Sequence, residues 1–285
     1  MINRGSIGAL SRIISDLKLK HDNPGATPVV YFTGIPNVGD LLNEYLIPRL
    51  SGSSILRVSS SMTPHIRAVG SVIGSASQFS YIWGSGSIDG HRPKRSIKAE
   101  NIYALRGKQT RDMLSFHLGV DLTHVPLGDP AVLMPHFYNP SGLKVGCIGV
   151  IPHFSDEDIL SDYVNSLSQK CVKIISVRQQ PEDFINDLCQ CDYVFSSSLH
   201  GLILADSYNV PNRWISVSDR LLGGSFKFMD YYSTTDRPAE NCIEIDGHAA
   251  LFRLVDKPSN FCKVKAYTGE SSVLLSNFPP RFRGK

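Results

Sequence analysis

The chain has 285 residues, 42% of them apolar and 19% charged, and its 29 Lys and Arg against 26 Asp and Glu leave a formal net charge of +3. That length accommodates two α/β units or one large one, and the apolar share is that of a globular protein rather than a disordered or membrane-embedded chain. The near-balanced charge offers no basic field for nucleic acid, no run approaches the roughly 18 apolar residues of a spanning helix, and no charged-then-apolar secretion signal opens the sequence, so the expectation is a cytoplasmic protein.

Residues 4–20 place Ile7, Leu10, Ile13, Ile14 and Leu17 on one helical stripe, with Arg12, Lys18 and Lys20 available to another face. This is an amphipathic helix, which either packs on the domain or makes peripheral contact with a membrane surface through its flanking bases. Apolar runs then follow at 29–32, 54–58, 66–73, 81–83 and 101–104, with helical periodicity at 40–50 and 108–118. A second series has strands at 145–150, 172–177, 193–196 and 214–217, separated by helices at 156–168, 181–191 and 200–208. Strands alternating with helices predict largely parallel sheets. Turn formers at 135–143 mark the joint. The expected division is 1–140, an N-terminal Rossmann-like domain with the leading helix, and 141–285, a C-terminal one with its tail.

Six cysteines, at 147, 171, 189, 191, 242 and 262, show no C-x-x-C pair. They read as thiols, with Cys147 and Cys171 in or beside apolar runs where sulfur acts as a small hydrophobe. No metal set is expected.

Two α/β halves put their strand ends, and the loops that leave them, on the walls of one cleft, where ligands of such folds bind. The first such loop is Gly34-Ile35-Pro36-Asn37-Val38-Gly39-Asp40, whose amides can bind an anion at a helix start, or which is a plain turn with Asp40 as the N-cap. Trp83-Gly84-Ser85-Gly86-Ser87 follows another strand; it lacks G-x-G-x-x-G and a Walker lysine, so no nucleotide site is supported. Arg106, at a strand end before a helix, can grip a phosphate or carboxylate at two points, and Arg111 lies one turn further on. The richest stretch is Ser196-Ser197-Ser198-Leu199-His200-Gly201, where a strand delivers hydroxyls and then a histidine, the side chain that ordinarily titrates near neutrality. Gly201 is expected to leave room beside the imidazole. His153, in Ile151-Pro152-His153-Phe154, and Lys227, after Gly223-Gly224, are further cleft-facing candidates.

In these residues the sequence resembles the polysaccharide pyruvyl transferase family, specifically the bacterial branch that adds ketal-linked pyruvate to exopolysaccharide repeat units. The resemblance runs from about Tyr31 to Tyr232. It comprises Asn37-x-Gly39-Asp40 with Asn43, Trp83-Gly84-Ser85-Gly86, Leu105-Arg106-Gly107 with Thr110-Arg111, and Gly128-Asp129-Pro130. Ile151-Pro152-His153-Phe154, Ser196 to Ile203, and Lys227-Phe228 with Asp230-Tyr231-Tyr232 complete it. It implies two Rossmann-like halves arranged as in GT-B glycosyltransferases, with the active site in the cleft between them. The donor would be phosphoenolpyruvate, used as a substrate with no cofactor. The acceptor would be a sugar hydroxyl pair, on a polysaccharide or a lipid-linked oligosaccharide at the inner face of the cell membrane. Much of the wider family has Arg-Leu-His where this chain has Ser198-Leu199-His200, which leaves Arg106 and Lys227 as the nearest replacement cations by motif. The carry-over makes His200 and Arg106 catalytic. It makes Asn37, Gly39, Asp40, Gly84, Ser85, Gly86, Arg111, His153, Ser197, Ser198 and Lys227 substrate-binding.

The chemistry suits these residue types. The donor's phosphate and carboxylate call for Arg, Lys and backbone amides. Protonation of its methylene carbon opens C2 to a sugar hydroxyl, and a second hydroxyl displaces phosphate to close the ketal; His200 can serve as the acid, the base or both, with the base toward the sugar hydroxyl favoured. A nucleotide-sugar glycosyltransferase of the GT-B type and a non-catalytic glycan-binding protein are the alternatives, and the oligomeric state stays open.

Overall fold

A computed structural model describes residues 4–59, 63–140, 144–167, 171–218 and 223–284, with the side chains of the first helix described from Arg12 onward. Residues 141–143 of the expected joint, residue 168 of an expected helix, and the side chains of Ile7 and Leu10 lie outside the described set.

The first half holds β1 (Thr27–Val29), β2 (Ile55–Arg57), β3 (His65–Arg67), β4 (Ser80–Trp83) and β5 (Ile102–Ala104), with helices α1 (Arg4–Asp22), α2 (Val38–Ser51) and α3 (Lys108–Leu118). The second holds β6 (Cys147–Ile151), β7 (Val172–Ile174), β8 (Cys191–Ser196), β9 (Asn212–Ser216) and β10 (Ile243–Glu244), with α4 (Glu157–Asn165), α5 (Pro181–Cys189), α6 (Leu199–Ser207), α7 (Phe226–Tyr232) and α8 (His248–Asp256). A last helix, α9, spans Ser271–Ser276. Strands pair in the order β2-β1-β3-β4-β5 and β10-β9-β8-β6-β7, with every ladder between them parallel. These are two Rossmann-like halves of the same winding: in each, the first strand lies between the second and third. The order reverses there, so a crevice opens at the carboxyl ends of β1 and β3 and, in the other half, of β6 and β8.

Central strands are the buried ones. All three residues of β3 and all five of β6 are buried, as a parallel strand covered on both faces requires. Helix α6 buries Leu199, Leu202, Ile203, Leu204 and Ala205; apolar all round, it sits inside the molecule and aims its first turn at the crevice.

Four expectations change. The run 66–73 is not one strand: β3 stops at Arg67, and the chain turns at Gly70 (φ 115°) into a short 3-10 turn at Ile73–Ser75. The cap of α2 is Asn37, whose Oδ1 accepts from the Asp40 amide at 3.2 Å, so Asp40 lies within the first turn. Cys147 and Cys171 form a disulfide rather than two thiols, because the parallel register of Ile148 with Val172 sets the preceding residues side by side. The tail after the second sheet packs on the first: the Trp83 indole donates to the Leu274 carbonyl at 2.9 Å, and Phe278 meets the Trp83 ring edge-on at 5.2 Å.

Candidate functional site

Both crevices open into one cavity of about 210 Å³. The first half contributes Phe32, Asn37, Asp40, the Gly70-Ser71-Val72 turn and Ile88; the second contributes His153, Phe154, Val177, Ser198, Leu199, His200 and Lys227.

Each wall follows from local hydrogen bonding. Asn37 Nδ2 donates to Asp40 Oδ2, so the cap residue also orients the carboxylate. Asn43, fully buried one turn further along, donates to the Val69 carbonyl at 3.0 Å and accepts from the Val69 amide at 3.1 Å, tying α2 to the opposite turn. Burial pushes the Asp40 carboxyl up to about 6, against the opposing pull of His200 and the Asn37 hydrogen bond. In the second half, Ser197 Oγ accepts from the His153 amide at 2.8 Å, and His153 Nδ1 pairs with Ser155 Oγ at 2.7 Å. Burial, with Lys227 nearby, holds the His153 imidazole down to about 4, which leaves it neutral at physiological pH.

His200 stands in the first turn of α6. Its Nε2 faces Asp129 Oδ2 at 3.7 Å, too long for a hydrogen bond, and both atoms are buried with no hydrogen-bond partner among the described residues. Asp129 is completely buried; its Oδ1 accepts from the Ala131 amide at 3.0 Å, capping the 3-10 turn Pro130–His136, which frees Oδ2 to point at the imidazole. Beneath the other edge of the ring lies Gly39, where a Cβ would overlap Nδ1. The glycine that makes room for His200 is thus Gly39. Gly201, expected in that role, instead clears Ser196 Oγ and Ile151.

Lys227 is carried to the cavity on α7, which docks against the first half. Asp230, completely buried on the same helix, accepts from the Thr110 amide at 2.8 Å, from Thr110 Oγ1 at 2.7 Å, and from Arg106 Nε at 2.9 Å. Lys227 is 8% exposed and makes no ion pair among the described residues. Burial pulls its amine down to about 8, with the positive charge of Arg106 adding to the effect and Asp156 opposing it. It is the one Lys or Arg among the described lining residues.

Six of the residues expected from sequence line this cavity: Asn37, Asp40, His153, Ser198, His200 and Lys227. Gly39 and Ser197 stand immediately behind, under His200 and His153. The others are elsewhere. Arg106 is completely buried and makes its two-point contact with Asp230, through Nε and Nη2, while Nη1 donates to Ser71 Oγ at 2.6 Å and Nη2 to the Ser87 carbonyl at 2.5 Å. All three of its nitrogens donate to protein, so it holds α7 and the Ser71 turn in place from behind the wall. Arg111 pairs with its neighbour Asp112 at 2.9 Å. Ser85 Oγ donates to the Gly70 carbonyl at 2.8 Å, and Gly86 lies against the Arg106 guanidinium. Gly84, at φ 84°, lets the 128–130 loop press onto the end of β4, since a Cβ there would overlap Pro130. Asp129 itself carried no assigned role in the sequence reading; the signal was the Gly-Asp-Pro triplet. Among the described residues no group of three His, Cys, Asp or Glu side chains is placed to hold a metal ion.

Residues 81–219, from β4 through Asp129, His153 and His200 to the end of β9, match the profile of the polysaccharide pyruvyl transferase family. The chain is also 28% identical over 260 residues to the uncharacterized protein L143 of Acanthamoeba polyphaga mimivirus, covering 86% of this chain and 88% of that one. It is 26% identical over 213 residues to the succinoglycan biosynthesis protein ExoV of Rhizobium meliloti (strain 1021), covering 74% of this chain and 56% of that protein. The profile match and the likeness to a succinoglycan biosynthesis protein support a pyruvyl-transfer role. Asn37, Asp40 and Lys227 fall outside the family-matched stretch, yet the fold returns them to the cavity that stretch builds. Among the described residues no helix is long and apolar enough to cross a membrane.

Proposed function

We propose that this chain transfers the pyruvyl group of phosphoenolpyruvate to two hydroxyls of one sugar, forming a cyclic ketal and releasing phosphate. The observation that carries the reading is the pairing, in one enclosed space, of the buried ammonium of Lys227 with the imidazole of His200 and the Asp129 carboxylate behind it. A buried lysine with no counter-ion among the described residues asks for an anionic ligand, and phosphoenolpyruvate supplies two anionic groups. The cleft between the halves is the active site of this reading, in a GT-B-like arrangement.

Asp129 accepts from His200 Nε2 as the ligand closes the gap, which fixes the tautomer and leaves Nδ1 as the base. Nδ1 takes the proton of the first sugar hydroxyl as its oxygen bonds to C2 of the donor. Asp40, a carboxyl held near 6 by burial, protonates the methylene carbon, which becomes a methyl group. The second hydroxyl then bonds to C2 as the bond from C2 to the phosphate oxygen breaks. Across the cycle the two hydroxyl protons end on the methyl carbon and on the departing phosphate. Lys227 neutralises the phosphate as charge builds there, and His153, uncharged, offers a hydrogen bond without repelling Lys227. With Arg106 committed to Asp230, Lys227 takes over the part that an arginine at Ser198 would play.

The likeness to a succinoglycan biosynthesis protein supports a polysaccharide repeat unit as acceptor, in the lipid-linked form in which such units are assembled, and a phosphoenolpyruvate donor supports a cytoplasmic site. Incubation with phosphoenolpyruvate and a panel of glycans tests the proposal. It expects phosphate release matched by product that has gained one pyruvate less one water. Stabilisation of the protein by nucleotide sugars and not by phosphoenolpyruvate would overturn it in favour of a glycosyltransferase.

A further inference from the structure

Helix α1 is turned inside out relative to an ordinary surface helix. Its one acidic residue before the last, Asp16, is 1% exposed, and its Oδ1 accepts from the Ser59 amide at 3.1 Å and from Ser59 Oγ at 3.2 Å. Lys20 reaches inward as well, donating to the Pro64 carbonyl at 3.2 Å. Of the described apolar residues, Ile13 is half-buried and the other three face out: Ile14 is 58% exposed, Leu17 52% and Leu19 38%. Ile14 and Leu17, three residues apart, share one face. Arg12, Lys18 and His21 are exposed around them. A helix that buries its acid and presents leucine, isoleucine and bases to the outside leaves that hydrophobic surface without a partner among the described residues.

We propose that α1 lies on an anionic lipid surface. The charge pattern selects this occupant: with Asp16 turned inward, the outward face of the described helix before Asp22 carries bases and no acid, which suits the negative headgroups of a bilayer. Placement agrees. Ser59 follows the carboxyl end of β2 and Pro64 precedes β3, so α1 descends from the rim that bears the cavity. From Asp16 back to Arg4 the helix continues for roughly 18 Å. Lipid contact along α1 brings that rim to the membrane, where a lipid-borne acceptor would be met. The binding stands apart from the reaction proposed above, because vesicles report it without substrate.

The test is flotation of the full chain with phosphatidylcholine vesicles that carry, or lack, about one-third phosphatidylglycerol. Binding is expected to the anionic vesicles, to fall several-fold on neutral ones, and to weaken as salt screens the bases. The Ile14→Asp/Leu17→Asp variant is expected to lose about tenfold or more in partition, and Lys18→Glu about fivefold, with thermal unfolding unchanged because these side chains are exposed. Equal binding to both vesicle types, no binding, or undiminished binding by the double variant would overturn the proposal. So would a dimer of the parent chain that the double variant converts to monomer with no change in vesicle binding, since the face would then belong to a second copy.

Discussion

Replacing Lys227 by methionine should make the protein more stable and less active at once. The amine is 8% exposed and held at about 8 rather than 10.5, so keeping it protonated in the folded state costs about 3 kcal/mol at neutral pH. Methionine has a similar reach and no charge to desolvate, so Lys227→Met should raise the unfolding free energy by about that amount. The sign follows from linkage. A folded pKa below the unfolded one means that the lysine costs nothing above about 10.5 and costs progressively more as pH falls toward 8, after which the penalty is constant. Urea unfolding of parent and variant should therefore show a gap of about 3 kcal/mol at pH 7 that narrows on going to pH 10. Phosphoenolpyruvate should raise the melting temperature of the parent and leave the variant's unmoved, and kcat/KM for the donor should fall about a hundredfold. In the parent, KM for phosphoenolpyruvate should rise above pH 8 as the ammonium is lost. A variant that is less stable than the parent at pH 7, or as responsive to phosphoenolpyruvate, would refute the assignment of Lys227 as a solvent-starved cation waiting for its anion.

Asp129→Asn keeps the shape of the side chain and removes its charge; kcat should fall by tenfold to a thousandfold, on the scale of a lost base-orienting group, with KM for the donor nearly unchanged, as steady-state kinetics would show. Gly39→Ala places a methyl group in the volume of His200 Nδ1, so turnover should drop by about tenfold or more while the melting temperature hardly moves, alanine being the better helix former by about 1 kcal/mol. Arg106→Met leaves the Asp230 carboxylate buried and half-paired, which should lower the unfolding free energy by about 3–5 kcal/mol. Arg106→Met/Asp230→Leu should recover much of that loss in the same denaturation assay. A rise in KM for phosphoenolpyruvate at undiminished stability in Arg106→Met would instead return this arginine to the substrate.

The alternation of apolar runs and periodic stretches was enough to read two parallel sheets, because burial on both faces leaves near-continuous apolar strands that helices must separate. It did not show where strands end: Ala68 and Val69 prolong the apolar run past β3, and only the turn at Gly70 stops it. Register was equally out of reach, which is why Cys147 and Cys171, 24 residues apart, gave no sign of meeting. Within the cavity, His200, His153, Asp40 and Lys227 are legible because each follows a strand or stands in the first turn of a helix and carries a group with chemistry. Arg106 has the same local signature. Its partner is Asp230, 124 positions away, and no local pattern distinguishes an arginine that meets a ligand from one that meets an aspartate. Asp129 gives no sign in the sequence for a related reason: a single acid in a turn looks like a cap, which it is, and its second oxygen comes to face His200 only when α6 arrives.

The return of the C-terminal segment to the first sheet orders events during synthesis. Trp83 is completely buried under α9 and Phe278, so the N-terminal half keeps an indole and a stretch of sheet uncovered until some 190 further residues have left the ribosome. Neither half is then a finished folding unit while the chain is growing, and a fragment cut between the sheets would present that indole to solvent. The chain also bridges the halves at two places, covalently at the linker and by the packed tail, so any opening of the cavity has to be a rotation that both connections tolerate.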